Sequence, residues 1–143
     1  MQKKFKLIWV VGLISGLFLF PSAGTALAAD TIKVGVMYSI TGVGSPVGKV
    51  QMDGVKLALK QANDQGGIKL GGKKLKVEVV IRDDETKPDV AVRRMRELIE
   101  ENIKLVVGGT FAHVSQAINV QIREGQALFM ATNGVEESIF RKD

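Results

Sequence analysis

Two spacings of apolar residues alternate along the chain from residue 31 onward. Short apolar or alternating runs rich in β-branched residues are typical of strands, and they occur at residues 31–37, 75–81, 103–107 and 127–131. Apolar positions three and four apart are typical of helices, and they occur at residues 47–65, 90–102 and 112–124. Strict alternation of strand and helix predicts an α/β fold, a parallel sheet with helices on both faces and right-handed crossovers.

Glycines and prolines mark the boundaries of these elements. Gly66 and Gly67 predict the end of the first helix, and Gly71 and Gly72 predict a tight turn before the second strand. Pro88 suits the first turn of the second helix. The first helix is expected to turn one apolar stripe inward, and its members are Val47, Val50, Gly54, Val55, Ala58 and Ala62.

Four loops follow the carboxyl ends of the strands, at residues 38–46, 83–88, 108–113 and 132–135. In a parallel sheet these loops lie on one edge, which is where open α/β sheets bind ligands. The most informative of them is the third, where a buried strand breaks on Gly108 and Gly109 and a helix opens near Ala112. That geometry brings backbone N–H groups toward a ligand, although a plain turn without a ligand is the commoner case.

The first 28 residues form a separate segment. A basic start is followed by an apolar run from residue 7 to residue 20, and Ala26 and Ala28 provide small residues at a cleavage-site spacing. This pattern predicts a secretory signal peptide, residues 1–28, and the run is short for a membrane anchor. Cleavage removes Lys3, Lys4 and Lys6 and lowers the formal charge from +5 to +2.

Composition narrows the function further. A mature charge near +2 gives no indication of nucleic-acid binding. The chain has no cysteine, which excludes disulfides and lipid attachment at the cleavage site, and only one histidine, which makes a transition-metal site improbable. No cofactor is predicted, because Gly42 and Gly44 lack the third glycine of a dinucleotide fingerprint and Gly108-Gly109 lacks a P-loop lysine. A soluble periplasmic protein with no stable membrane insertion after cleavage is expected.

With these loops placed, the chain resembles periplasmic binding proteins of the branched-chain amino acid (leucine/isoleucine/valine-binding) type. The resemblance covers residues 31–135, and its motifs are I-K-V-G-V at 32–36, T-G at 41–42, G-V-K-L-A at 54–58, N-D-Q-G-G-I at 63–68, D-D-E-T-K-P at 83–88, V-V-G-G at 106–109 and L-F-M-A-T at 128–132. It implies two α/β lobes that close on a small solute and deliver it to the membrane permease of an ABC importer. Residues 29–143 would then be part of the N-terminal lobe, an incomplete first lobe of the type I periplasmic fold.

The resemblance also implies where a ligand would be contacted. It places ligand contacts at Ala112, Asn133, Val135 and Val47. Thr110, Phe111 and His113 are further candidates because they lie in the third loop, beside Ala112. In amino-acid-binding relatives, a serine matches Ala112, a threonine matches Val135, an aromatic residue matches Val47, and a backbone contact matches Asn133. Three of these side chains differ from the pattern of amino-acid binders, but the binding fold is kept, so the expected ligand is an amino acid or a similar small carboxylate or polar metabolite.

Several residues have competing interpretations. His113 is either a ligand contact or a solvated residue at a helix end, and Phe111 either stacks on a ligand or fills the sheet edge. Asp83, Asp84 and Glu85 lack the ladder of a calcium loop and are expected to form a solvated loop. Catalysis has little support, since the chain has no G-x-S-x-G motif, and an exported flavodoxin-like enzyme is the weakest alternative.

Two further expectations follow. The main alternative to import is a periplasmic receptor domain of the same fold that reports its ligand to a signalling partner. Because family members exceed twice this length, residues 29–143 are expected to leave a sheet edge and apolar helix faces uncovered, and to bind ligand weakly alone.

Overall fold

The structure is a computed structural model that describes residues 30–133. The predicted signal peptide, Val135 and the end of the chain lie outside these residues. The elements in chain order are β1 (Thr31–Tyr38), α1 (Ser45–Asp64), β2 (Ile68–Leu70), β3 (Lys73–Asp83), α2 (Pro88–Glu100), β4 (Leu105–Gly108), α3 (Ala112–Ala117), α4 (Asn119–Glu124) and β5 (Leu128–Ala131). The predicted α/β alternation is confirmed.

One five-stranded sheet carries the fold, in the order β2-β3-β1-β4-β5. β1 lies parallel to both β3 and β4, with Val36 opposite Ile81 on one side and Val107 on the other. β5 continues the parallel arrangement beyond β4. The carboxyl ends of β1, β3, β4 and β5 therefore meet at one edge of the sheet, which we call the rim.

The main hydrophobic core lies between the sheet and helices α2, α3 and α4. Met37 and Val106 from the sheet pack with Met95, Leu98 and Ile118 from the helical layer, and all five are at most 1% exposed. Helix α1 packs on β1 and β3 instead, and contributes no residue to this core cluster. Helices therefore cover both faces, as expected.

Helix α1 turns a different stripe inward from the one predicted. Val47 and Val50 are 51% and 72% exposed, and Gly54 has open space around it, whereas Val55 and Ala62 are partly buried. The helix has apolar residues on two adjoining faces, so spacing alone could not choose between them. The contact of buried Gly48 with the backbone of Ser39 fixes the orientation.

Two further details differ from the sequence prediction. Residues 68–70 form a short strand, β2, antiparallel to β3 across the predicted turn, in which Gly71 and Gly72 have φ of 56° and 80°. The single helix predicted over residues 112–124 is divided at Ile118, a fully buried core residue with φ −88° and ψ −3°. Ile118 packs into the core at the point where the helix is divided, and no glycine or proline at this point signals the division in the sequence.

Apolar surface remains exposed on α1 and β5. Val50 is 72% exposed, and Leu128 and Met130 on one side of β5 are 63% and 56% exposed. The expected uncovered apolar faces are therefore present. Among residues 30–133, no helix combines the length and apolar character needed to cross a membrane.

Candidate functional site

The loops after β4 and β5 open side by side on the rim. Gly108 lies opposite Ala131 in the parallel register, and the N–H of Thr132 donates to the carbonyl oxygen of Gly108 at 2.9 Å. The side-chain amide of Asn133 donates to the carbonyl oxygen of Thr110. The two loops that the sequence singled out are therefore neighbours, as expected, and hydrogen bonds hold them in a fixed relation.

Residues 111–113 present an aromatic pair at this edge. The rings of Phe111 and His113 stack, with centroids 5.9 Å apart and planes 29° from parallel. Phe111 is half-buried, packs against the core and comes close to Gly44, so it fills the sheet edge. His113 is exposed and covers the ring of Phe111. Of the two rings, the imidazole is the one open to a solute.

Helix α3 begins at Ala112 without a side-chain cap from Phe111. Its first-turn N–H groups can therefore face an approaching acceptor. The helix has six residues, so the field at its N-terminus is weaker than the long helix predicted from sequence would supply. Ala112 adds no hydroxyl, and any contact that it makes with an anion comes from the backbone.

Thr110 is 1% exposed, and its hydroxyl has a structural partner. The backbone N–H of Ser39 donates to Thr110 Oγ1 at 3.0 Å, in a buried bond between the loops after β1 and β4. Its side chain therefore fixes the position of the glycine turn and leaves no exposed hydroxyl for a ligand. Val47 lies in the first turn of α1, at the rim end of that helix, and is exposed.

The acidic loop after β3 is not the solvated loop that the sequence suggested. Asp83 Oδ1 accepts the N–H groups of Ile40, Thr41 and Glu85, and Oδ2 accepts the Thr41 hydroxyl at 2.6 Å. Burial alone would raise the pKa of Asp83, but these hydrogen bonds outweigh it and hold the pKa below its ordinary value. Asp83 thus attaches the loop after β1 to the end of β3.

Asp84 is more deeply buried, with 1% exposure. Its Oδ1 accepts the Ser39 hydroxyl at 2.6 Å and the N–H of Thr86 at 2.8 Å, whereas Oδ2 has no hydrogen-bond partner. Burial raises the pKa of Asp84 despite these two bonds; the nearby charge of Asp83 raises it further, and His113 opposes the rise. This burial could not be read from the sequence, because it depends on Ser39, which lies 45 positions away in the chain.

Tyr38 is also buried and bonded across the rim. Its hydroxyl lies 2.9 Å from Thr132 Oγ1, which joins the end of β1 to the exit of β5. Burial raises the pKa of Tyr38, and the bond to Thr132 partly offsets that rise. Tyr38 therefore supports the loop that carries Asn133.

Other parts of the described surface differ from the rim in character. A groove of about 600 Å³ lies at the opposite, amino ends of the strands, where Thr31, Lys33, Glu101, Lys104 and Leu128 are among its lining residues. Within residues 30–133, no group of three or more His, Cys, Asp or Glu side chains is placed to hold a metal ion. The polar groups at the rim include backbone N–H groups at the start of α3, the imidazole of His113 and the side-chain amide of Asn133.

Two curated relatives are named as amino-acid-binding proteins. The chain is 33% identical over 110 residues to the leucine-, isoleucine-, valine-, threonine- and alanine-binding protein of Pseudomonas aeruginosa. This alignment covers 77% of this chain and 28% of the Pseudomonas protein. The chain is 31% identical over 120 residues to the Leu/Ile/Val-binding protein of Escherichia coli K12, covering 84% of this chain and 31% of the relative. The chain thus spans about a third of the length of these relatives.

A solved structure agrees with these similarities. The ABC transporter substrate-binding protein from Sphaerobacter thermophilus superposes with a TM-score of 0.66 at 27% identity, over 78% of this chain and 29% of that one. The profile of the family described as "Periplasmic binding protein" matches residues 31–141, which include the sheet and all the rim loops. The chain belongs to the periplasmic binding protein family.

Proposed function

We propose that this chain is part of the solute-binding component of an ABC importer, and that its rim forms one side of the ligand cleft. The observation that carries the proposal is the parallel pairing of β4 with β5, which brings the Gly108–Gly109 turn and Asn133 together. Ligands of open α/β sheets bind at such a carboxyl edge. Relatives named for amino-acid binding support the same assignment.

The ligand that fits these residues best is a small carboxylate or polar metabolite. The uncapped N–H groups at the start of α3 favour an acceptor such as a carboxylate. His113 is exposed beside them and can donate to the same group. The absence of a hydroxyl at Ala112 and at Val135 distinguishes this chain from the serine and threonine pattern of amino-acid binders.

Solute capture would follow if the closed form of the protein binds the solute more tightly than the open form does. A solute held on the rim adds contacts that a second lobe can complete, so ligand shifts the population toward closure. We further propose that residues 29–143 belong to the N-terminal lobe of this two-lobe domain, that the protein acts in the periplasm after removal of residues 1–28, and that the closed form is recognised by the permease.

A thermal-shift screen tests the proposal. The protein expressed from its complete reading frame is heated with amino acids, aliphatic and aromatic carboxylates, amides and polyols. A ligand present at 100 times its dissociation constant should stabilise the folded state by about 2.7 kcal/mol. Absence of a shift with every member of the panel would contradict solute capture by this protein.

Two variants and a control locate the site. His113→Ala removes an exposed ring, and Asn133→Ala removes the amide that joins the two loops, so both should reduce the ligand-induced shift. Lys69→Ala changes an exposed residue of β2, at the other end of the sheet, and should leave the shift unchanged. A full shift in both rim variants would place the ligand elsewhere.

A further inference from the structure

A chain of hydrogen bonds crosses all four loops of the rim. Ser39 donates its hydroxyl to Asp84 Oδ1 at 2.6 Å, and donates its backbone N–H to Thr110 Oγ1 at 3.0 Å. Thr110 in turn accepts the side-chain amide of Asn133 at its carbonyl oxygen. Asp84, Ser39, Thr110 and Asn133 lie in the loops after β3, β1, β4 and β5 respectively. We call these four residues the rim relay.

The rim relay is buried along most of its length. Ser39, Asp84 and Thr110 are 0%, 1% and 1% exposed. Burying a carboxylate is costly, and here one oxygen of Asp84 has no hydrogen-bond partner among the described residues. A buried charge adds little to stability compared with a well-packed apolar residue, so stability alone does not explain a carboxyl group at this position.

Ser39 and Thr110 each take part in two of the three hydrogen bonds of the rim relay. Ser39 donates its hydroxyl to Asp84 and its backbone N–H to Thr110, so it joins the loop after β3 to the loop after β4. Thr110 follows Gly109, whose φ of 92° belongs to the left-handed region, so this turn has few steric restraints of its own. The Thr110 carbonyl that receives Asn133 is therefore positioned by the Ser39–Thr110 bond together with the backbone bond from the Gly109 N–H to the Met37 carbonyl oxygen at 3.1 Å.

We propose that Asp84 is a positioning residue for the ligand cleft: through Ser39 and Thr110 it orients the Asn133 side chain and the turn that precedes α3. This inference rests on the proposed function, because it concerns the same rim. Asp84 itself, at 1% exposure, would not touch the solute. The charged groups that act on Asp84 are Asp83 at the end of β3 and His113 on α3, so its surroundings include the one histidine of the rim.

The first test needs no ligand. The side-chain amide resonances of Asn133 are recorded by NMR in the full chain and in two variants of Asp84. Asp84→Ala removes the acceptor and should shift the Asn133 amide resonances and speed their exchange with solvent. Asp84→Asn keeps an oxygen that can accept from Ser39 and Thr86, and should leave those resonances near their wild-type positions.

Two more variants complete this test. Asp53→Ala removes an exposed carboxylate from the middle of α1 and should leave the Asn133 resonances unchanged. If Asp84→Ala does not fold, Ser39→Ala breaks the same link from the other side and should reproduce the shift. Unchanged Asn133 resonances in a folded Asp84→Ala or Ser39→Ala variant would overturn the relay, whatever the protein binds.

The second test measures binding of L-leucine by calorimetry in the protein expressed from its complete reading frame. Asp84→Ala and Asn133→Ala should each weaken affinity roughly threefold to tenfold, which is the effect of about one hydrogen bond. Because both act on one relay, the double variant should lose no more than the larger single loss. If the loss of affinity in the double variant equals the product of the two single fold-losses, the relay is overturned. A wild-type protein that does not bind L-leucine would count only against leucine as the ligand, and the NMR result would then decide whether the relay exists.

Discussion

Two glycines of α1 should respond differently to the same substitution. Gly48 faces inward, and a Cβ added there would overlap the backbone carbonyl of Ser39. Gly54 lies two turns later, where a Cβ would meet nothing within 4 Å. Alanine is favoured over glycine in a helix interior by about 1 kcal/mol, and this gain applies at both positions. Forcing a methyl group into a packed contact costs about 1–3 kcal/mol, and this cost applies only to Gly48.

The expected result is therefore a rise of about 1 kcal/mol in the free energy of unfolding for Gly54→Ala, and a value for Gly48→Ala lower by about 1–3 kcal/mol than that of Gly54→Ala. In a domain near 100 residues, 1 kcal/mol corresponds to roughly 4–8 °C in Tm, so thermal unfolding followed by circular dichroism resolves the difference. Equal stabilisation by both substitutions would refute the packing of Gly48 on Ser39. It would also remove the contact that orients α1 against the sheet and supports the first rim loop.

Two other predictions concern hydrogen-bonded side chains. The Asn63 side chain donates to the carbonyl oxygen of Val77 at 2.8 Å and accepts the Val77 N–H at 2.7 Å, so Asn63→Ala should lower the free energy of unfolding in urea by about 1–3 kcal/mol. The control Gln65→Ala, at an exposed residue, should change it by less than about 0.5 kcal/mol, and equal effects of the two substitutions would refute the Asn63–Val77 contact. Burial raises the pKa of Asp84 above 3.8, so the folded state holds its proton more tightly than the unfolded state does, and this contribution to stability is lost as the pH rises through the folded pKa. The stability of Asp84→Asn relative to wild type should therefore increase from pH 3 to pH 7, and a constant or falling difference would show that Asp84 is not buried as described.

The sequence predicted the parts of the fold that depend on local pattern. The runs that became β1, β4 and β5 and the glycine turn at Gly108–Gly109 were placed within a few residues, because β-branched runs bounded by turn residues define strands. The predicted parallel direction of the strands also implied that the loops after β4 and β5 share an edge. The choice between two apolar faces of α1 could not follow, since a contact with Ser39 decides it.

The polar interior of the rim was beyond prediction for a related reason. Asp84 appears in a run of acidic residues that is typical of solvated loops, and only hydrogen bonds to Ser39 and Thr86 make its burial possible. Ser39 lies 45 positions away in sequence. Thr110 was correctly placed at the rim by its position after two glycines, but its hydroxyl is engaged by a residue 71 positions earlier. Local pattern contains no information about such partners.

The central claim is that the rim after β4 and β5 binds a small solute. Its most direct test is an NMR titration of the ¹⁵N-labelled protein, expressed from its complete reading frame, with amino acids and small carboxylates. Saturable amide shifts concentrated in residues 108–113 and 132–133 are expected for at least one compound. Saturable shifts confined to the groove around Thr31, Lys104 and Leu128, or no shifts with any compound at millimolar concentration, would contradict the account.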